Sequence, residues 1–323
     1  MKFRIVVKMI KVLISRNYTY PDLERQTPNS SFVWNDIQFT EDPTEEVDFV
    51  VVFNQPGKDI NVKANIGGRW LFLQEPPYVR NEYFKYHFRF ADKVVSGFGE
   101  DIEHNEQAQA GLPWHVNKTY DELSKLSVDE LTKQDRVSWI TSNNNMFPGH
   151  QPRLDFVDFL KQKEFDFDLF GRGFQPIDDK FDGIAPYKYS IAVENYFARD
   201  YWTEKAIDCM LSWTIPLYYG CTNMKDYFPE GSFVEIDILK PEAALEKIEE
   251  VVSEDYWSKN IDALAEAREL ILNKYQMFPM LESRIKRFLA NHPNPEKKQF
   301  FIPKSGLTKT EELKKKFRKI IGK

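Results

Sequence analysis

The apolar run Ser-Ile-Ala-Val (190–193) reads as a buried strand and ends in two polar residues, Glu194 and Asn195. A loop follows, after which Thr203 can cap a helix whose first residues are Glu204 and Lys205. Ligands of parallel sheets bind beyond the carboxyl ends of the strands, beside helix N-termini. Free N–H groups and the helix dipole favour an anion such as a diphosphate there. Lys205 adds positive charge, and the Glu204 carboxylate can accept hydrogen bonds from adjacent ribose hydroxyls. The same residues also make an ordinary cap, with Glu204 against the dipole and Lys205 in solvent. For a lone Thr-Glu-Lys that plain role is the commoner one.

The surrounding pattern supplies the elements such a site needs. Residues 137–142 read as a strand, 153–163 as a helix with Leu154, Val157 and Leu160 on one side, and 165–171 as a strand ending in a glycine turn. Strand 189–194, helix 203–212, strands 214–220 and 232–237, and helices over 241–252 and 257–290 follow. This alternation predicts a parallel, Rossmann-like sheet. In the first half, 3–7, 47–53, 69–74 and 92–98 read as strands, several apolar on both faces as in a covered sheet. Residues 117–134 are polar, without a core stripe, and read as a boundary helix or linker. The division expected is 1–134, 135–300 and a basic amphipathic tail, 301–323.

With 323 residues the chain suits two domains. Its 42% hydrophobic and 29% charged content is that of a globular protein. Aromatics reach 15%, which an aromatic-rich core accounts for. A net charge of −6 gives no sign of nucleic-acid binding. From Lys304 onward, seven lysines and one arginine stand against Glu311 and Glu312, and Leu313, Phe317 and Ile320 or Ile321 make an apolar stripe. That tail suits peripheral membrane contact. Cys209 and Cys221 are no disulfide framework, so a reducing, cytoplasmic setting is expected. The N-terminal apolar runs are broken by Lys2, Arg4, Lys8 and Lys11, too short to span a bilayer.

The longer pattern around Glu204 changes the weighting. YKYSIAVEN, DYWTEKAIDCMLSWTIPLYYG and FPEGSFVEID, within 187–237, resemble the donor-binding signature of family 10 glycosyltransferases, the α1,3/4-fucosyltransferases. That signature is an aromatic-lysine strand ending in Glu-Asn, a Tyr-x-Thr-Glu-Lys helix start, a Pro-centred strand ending in Gly, and a Pro-x-x-Ser-Phe segment. Upstream, SWITSN (138–143), Arg153 and DLFGRG (168–173) resemble the family's Val-Ser-Asn element, downstream arginine and glycine turn. The resemblance implies a donor site of Ser142, Asn143, Arg153, Glu194, Asn195, Tyr201, Thr203, Glu204 and Lys205. Arginine's planar fork suits a diphosphate. The chain departs in its long segment NNNMFPGHQP between Asn143 and Arg153.

In the first half, WLFLQEPPYV (70–79) is similar to the family's Glu-Ser-Pro segment, with Pro76 in place of Ser. By that likeness Glu75 is the general base; by local sequence it serves equally as a surface residue before a proline turn. Tyr78, Tyr83, Tyr86, His87 and Trp114 can stack on a sugar or simply pack. The resemblance implies an α/β protein of GT-B architecture, with two Rossmann-like domains facing a cleft, the first binding the acceptor and the second the nucleotide sugar. It implies an inverting fucosyltransferase that uses GDP-fucose as donor substrate, acts on a glycan hydroxyl and needs no metal or other cofactor. Another nucleotide sugar on the same fold, or a non-catalytic glycan-binding protein, are the alternatives.

Competing motifs are weaker. Asp166-Phe167-Asp168 matches a metal-binding DxD triplet, but both aspartates enter a strand instead of leaving it. Glu194 and Glu204 are ten apart, not the eight of retaining GT-B enzymes. No Gly-Lys-Ser/Thr phosphate loop is present.

Overall fold

The computed structural model describes residues 9–42, 44–77, 84–97, 102–308, 310–311 and 313–314. The chain forms two units: 1–24, 31–111 and 280–323 make the first, and 25–30 with 112–279 make the second.

The first unit is built on a seven-stranded sheet. Its strands are β1 (Ile10–Arg16), β2 (Val33–Trp34), β3 (Ile37–Thr40), β4 (Phe49–Phe53), β6 (Arg69–Phe72), β7 (Lys93–Ser96) and β8 (Asn105–Gln107). Their order is β2-β3-β1-β4-β6-β7-β8, and all pairs are parallel except β2 with β3. Every residue of β4 is buried, so both faces of the sheet are covered. Val50 and Val52 pack with Ile60, Val62 and Ile302 of an antiparallel pair formed by β5 (Ile60–Asn65) and β14 (Lys297–Ile302). Phe49 meets Phe288 edge-on at 5.4 Å, and Trp70 meets the same ring at 6.1 Å. Phe288 lies on the helix Met277–Asn291.

The second unit carries the alternation expected from the sequence. Its strands are β9 (Gln134–Ile140), β10 (Phe167–Phe170), β11 (Tyr187–Val193), β12 (Ile215–Tyr219) and β13 (Val234–Glu235). They pair in parallel in the order β10-β9-β11-β12-β13. Helices Gln151–Gln162, Lys180–Ile184, Glu204–Leu211 and Pro241–Ser253 lie between or after them. Phe156, Val157 and Leu160 from the first of these join Ile207, Met210, Ile248 and Val251 in one buried core. No described helix is long and apolar enough to cross a membrane.

Three expectations are corrected. Residues 117–134 are not a boundary but part of the second unit, where Leu123 is fully buried; they do hold a helix, Tyr120–Lys125, which Thr119 caps through a capping box. The expected 135–300 domain ends early, because β14 and Phe288 give the first unit's sheet its two covers. In the first unit β5 occupies the connection from β4 to β6. The helix expected over 257–290 is broken at Asn260 and Gln276, with a π turn at Ile271–Tyr275. Strand 3–7 and most of the 308–323 helix lie outside the described residues; the edge-to-centre strand nearby is β1.

Because Phe288 is only half-buried against Phe49 and Trp70, Phe288→Ala should cost about 2 kcal/mol, less than the roughly 3–5 kcal/mol of a fully buried Phe. Urea unfolding with a probe in each unit checks this. A loss confined to the second unit's transition would contradict the assignment of 280–302 to the first.

Candidate functional site

In the second unit the chain starts at β9, moves outward to β10, then returns to β11 on the other side of β9. The carboxyl ends of β9 and β11 therefore form a topological switch point, where open α/β sheets bind ligands. Ser142 and Asn143 lie just beyond β9; Glu194 and Asn195 lie just beyond β11. Arg153, near the start of helix Gln151–Gln162, joins the two. Its Nη1 donates to Asn195 Oδ1 at 3.1 Å, and its Nη2 to the carbonyls of Ser142 at 3.0 Å and Asn144 at 3.1 Å. The long 144–152 segment does not displace Arg153. It folds into a turn at Pro148–His150, and Gly149 lies so close to the Asn195 carbonyl that a methyl group there would collide with it. On the other side, Asn143 N–H donates to the Arg172 carbonyl at 3.0 Å. Gly173, at φ +86°, packs directly beneath the Asn143 side chain, where any larger residue would be strained and obstructed.

The helix start Thr203-Glu204-Lys205 is built over a buried carboxylate. Thr203 caps helix Glu204–Leu211 by accepting from the Lys205 N–H. Glu194 has a fully buried side chain. Its Oε1 accepts from Thr203 N–H and its Oε2 from Thr203 Oγ1, both at 2.7 Å. Lys205 Nζ lies 3.3 Å from Glu194 Oε2, 3.1 Å from Thr203 Oγ1 and 3.6 Å from Glu204 Oε1. Glu204 Oε1 also faces Lys180 Nζ at 3.5 Å and His115 Nδ1 at 3.9 Å. Lys180 continues to Asp208 Oδ2 at 3.2 Å, and Asp208 Oδ1 accepts from His115 N–H at 2.7 Å.

This network sets the charges. Burial would raise the Glu204 carboxyl, but Lys205, Lys180 and His115 outweigh it and hold its pKa well below the usual carboxylate value. Burial would strip a proton from Lys205 and from Lys180; their carboxylate neighbours reverse this and hold both charged. Glu194 moves the other way: burial raises it, and Lys205 only partly compensates.

Ser142, Asn143, Arg153, Asn195, Thr203, Glu204 and Lys205 are thus gathered at one end of the sheet. Glu194 is placed beneath the others, positioning Thr203 and Lys205, and its side chain is not exposed to a ligand. Tyr201 is buried and meets Tyr196 edge-on at 6.0 Å. Of the stacking candidates, Trp114 is core, and His87 is buried with its ring nitrogens at the Phe84 and Lys304 carbonyls. Tyr86 is exposed, and Tyr78 and Tyr83 lie outside the described residues. Asp166 and Asp168 pair with Arg136 at 2.6 and 2.9 Å, and Asp168 accepts from Tyr187 Oη at 2.8 Å. Glu75 lies in the first unit, exposed in the bend after β6. Gln74 before it is locked: its N–H donates to Asn54 Oδ1, its Nε2 to the Gly111 carbonyl, and its Oε1 accepts from Tyr18 Oη, at 2.8, 2.9 and 2.8 Å.

Residues 131–257, which hold this whole network except His115, match the family model "Glycosyltransferase family 10 (fucosyltransferase) C-term". Over this segment the chain is similar to glycosyltransferase family 10. A mouse 4-galactosyl-N-acetylglucosaminide 3-alpha-L-fucosyltransferase 9 is 29% identical over 121 residues, 36% of this chain and 33% of that one. A human 4-galactosyl-N-acetylglucosaminide 3-alpha-L-fucosyltransferase FUT6 is 25% identical over 130 residues, 39% and 34%. The chain thus spans about a third of the length of these relatives. Among solved structures, an alpha1,3-fucosyltransferase aligns with a TM-score of 0.52 and 16% identity over 89% of this chain and 90% of its own. An alpha-glucosyltransferase in complex with UDP and DNA aligns at 0.53 and 11% over 86% and 99%. The fold is GT-B.

The family 10 motif located the ends of β9 and β11 but left out Lys180, Asp208, His115 and His150. Asp208 was within reach, since it stands four residues after Glu204 on the same helix face. Lys180 is 24 positions from Glu204 and only the fold joins them. Lys180→Met would leave the carboxylates of Glu204 and Asp208 without this cation, costing about 3–5 kcal/mol at neutral pH. Glu204 has a depressed folded pKa, so its contribution is complete above the ordinary carboxylate value and is lost as pH falls through the folded one. The deficit of the variant should therefore narrow as pH falls and Glu204 is protonated. Urea unfolding at pH 7 and at the lowest pH at which both proteins still fold checks this; a deficit that never narrows over that range would exclude the electrostatic account.

Proposed function

We propose that the chain transfers L-fucose from GDP-fucose to a hydroxyl of a glycan acceptor, with inversion at the anomeric carbon. The observation that supports this most is the convergence of Arg153 and Lys205 on the switch point, within the segment that matches family 10. Two cations and the N–H groups of helix Glu204–Leu211 suit a nucleoside diphosphate. As the glycosidic bond to GDP breaks, the electron pair passes to the diphosphate oxygen, where a fixed positive field is most effective. Arg153 and Lys205 take the neutralising role that a divalent ion has elsewhere, and we read the reaction as metal-independent. Glu204, whose Oε1 collects the cations, offers Oε2 to a ribose hydroxyl. Asn195 orients the donor, and Tyr201 backs that loop.

The acceptor hydroxyl must lose its proton as it attacks, because the free alkoxide is inaccessible at neutral pH. We assign this to Glu75, an exposed carboxylate on a turn whose preceding residue is held by three hydrogen bonds. The first unit then binds the acceptor. A cytoplasmic location fits the two reduced, buried cysteines, and contact of the basic tail with a membrane surface is part of the same proposal.

Ligands that bind only the folded state raise its melting point. GDP-fucose should raise the thermal midpoint and GDP should do much of this. A shift with UDP or UDP-sugars and none with GDP would reject the donor. Glu75→Gln keeps the shape and removes the base, so it should lower kcat by at least about 100-fold with GDP binding retained. Near-normal kcat in that variant would make Glu75 a turn residue only.

A further inference from the structure

His150 is 5% exposed, and its Nδ1 is sealed from solvent with no hydrogen-bond partner among the described residues. A buried polar nitrogen left in this state calls for a missing partner, such as a ligand. The residue stands immediately before helix Gln151–Gln162, three positions before Arg153 and on the same side of the first turn. Gly149, beside it, is pressed against the Asn195 carbonyl, which fixes the turn that carries the ring next to the end of β11. Phe147 holds the ring edge-on at 5.6 Å. The charged groups facing the imidazole are Arg153 from its own helix and Lys205 from helix Glu204–Leu211.

Those are the two cations assigned to the diphosphate. We propose that His150 is a third ligand of the donor diphosphate and takes up a proton as the nucleotide sugar binds. The inference rests on the donor reading above. In the empty site, burial first and then Arg153 and Lys205 hold the ring below the ordinary histidine value, and so neutral at pH 7. A diphosphate between these cations reverses the local field. It favours the imidazolium and gives the unpartnered nitrogen an oxygen to donate to. The proton comes from solvent, and no bond other than N–H is made. His⁺ then also faces the charge that grows on the departing GDP.

The sign follows from linkage. A group whose pKa rises on binding makes binding tighter at low pH and weaker as pH rises through the window between its free and bound values. GDP-fucose is the right probe because its diphosphate is esterified at both ends and does not titrate near neutrality. Calorimetry in buffers of different ionisation heat should show proton uptake by the wild-type chain at pH 6.5–7. The Kd should rise by at least about threefold from pH 6 to pH 8. His150→Gln, which cannot be protonated, should show no uptake and a flat profile, with weaker binding at pH 6. Absence of uptake in the wild type, or the same uptake in His150→Gln, overturns the proposal. Should His150→Gln fail to fold, the labelled imidazole resonance of His150 in the wild type decides. It must move to the protonated position on adding GDP-fucose, and a ring that stays neutral overturns the proposal. A wild type that binds GDP but matches the variant refutes His150 alone, whereas one that binds neither GDP nor GDP-fucose refutes the donor reading as well.

Discussion

The buried alternation of charge from Glu194 through Lys205, Glu204 and Lys180 to Asp208 is the constraint on which the second unit's site depends. Glu194 and Asp208 at its ends are too deeply placed to be left alone, since an unpaired buried charge costs several kcal/mol. Each is satisfied only if its neighbour comes from the right element: the end of β11, the helix Glu204–Leu211, or the helix Lys180–Ile184. The network is weak evidence for net stability, because desolvation consumes most of the attraction. Its consequence is geometric. Lys205 can occupy few positions once Glu194, Thr203 and Glu204 all hold it, so its charge is aimed before any ligand arrives.

Arg153 is held by a different kind of contact. Its named partners, the Ser142 and Asn144 carbonyls and the Asn195 amide oxygen, are neutral. Neutral oxygens orient a guanidinium without cancelling its charge. They also tie the ends of β9 and β11 to the 144–152 segment, so the cation and the floor of the site are ordered together. The glycines at 149 and 173 serve the same end, one by letting the turn approach Asn195 and the other by letting the β10 turn approach Asn143.

The second unit was legible in the sequence because helices and strands of ordinary length alternate there, and periodicity reports them directly. The motif residues were legible because they stand at strand ends and helix starts, where local chemistry is specific. The first unit was less so. β1 mixes Lys11 and Arg16 into its run, β5 alternates Asn61 and Lys63 with Val62 and Ala64, and β14 carries Lys297, Lys298 and Gln299. Such strands look like loops until their partners are known. The pairing of β14 with β5 spans more than 230 residues, and no local signal carries it. Leu123 was passed over for a similar reason: one apolar residue on a six-residue helix makes no stripe, yet it is fully buried. The same limit hid Lys180 and His150, whose meaning lies in what the fold brings beside them.

The two units present different groups at the ends of their sheets. At the switch point of the second unit the groups are cationic and closely held, as suits a ligand bound by charge. At the ends of β4 and β6 in the first unit the buried polar groups are Asn54 and Gln74, joined by Tyr18 from beyond β1, whose phenol is pushed far above its ordinary value by burial and which stands beside the Arg16–Glu41 pair. They bind one another and the backbone, and the carboxylate that follows them, Glu75, is exposed. A base must meet a neutral hydroxyl, lose its solvation and gain a proton, and a rigid support beneath it keeps it aimed. On the proposed reading, the cations at the second unit's switch point meet the diphosphate, and the carboxylate on the first unit's hydrogen-bonded bend meets the acceptor hydroxyl.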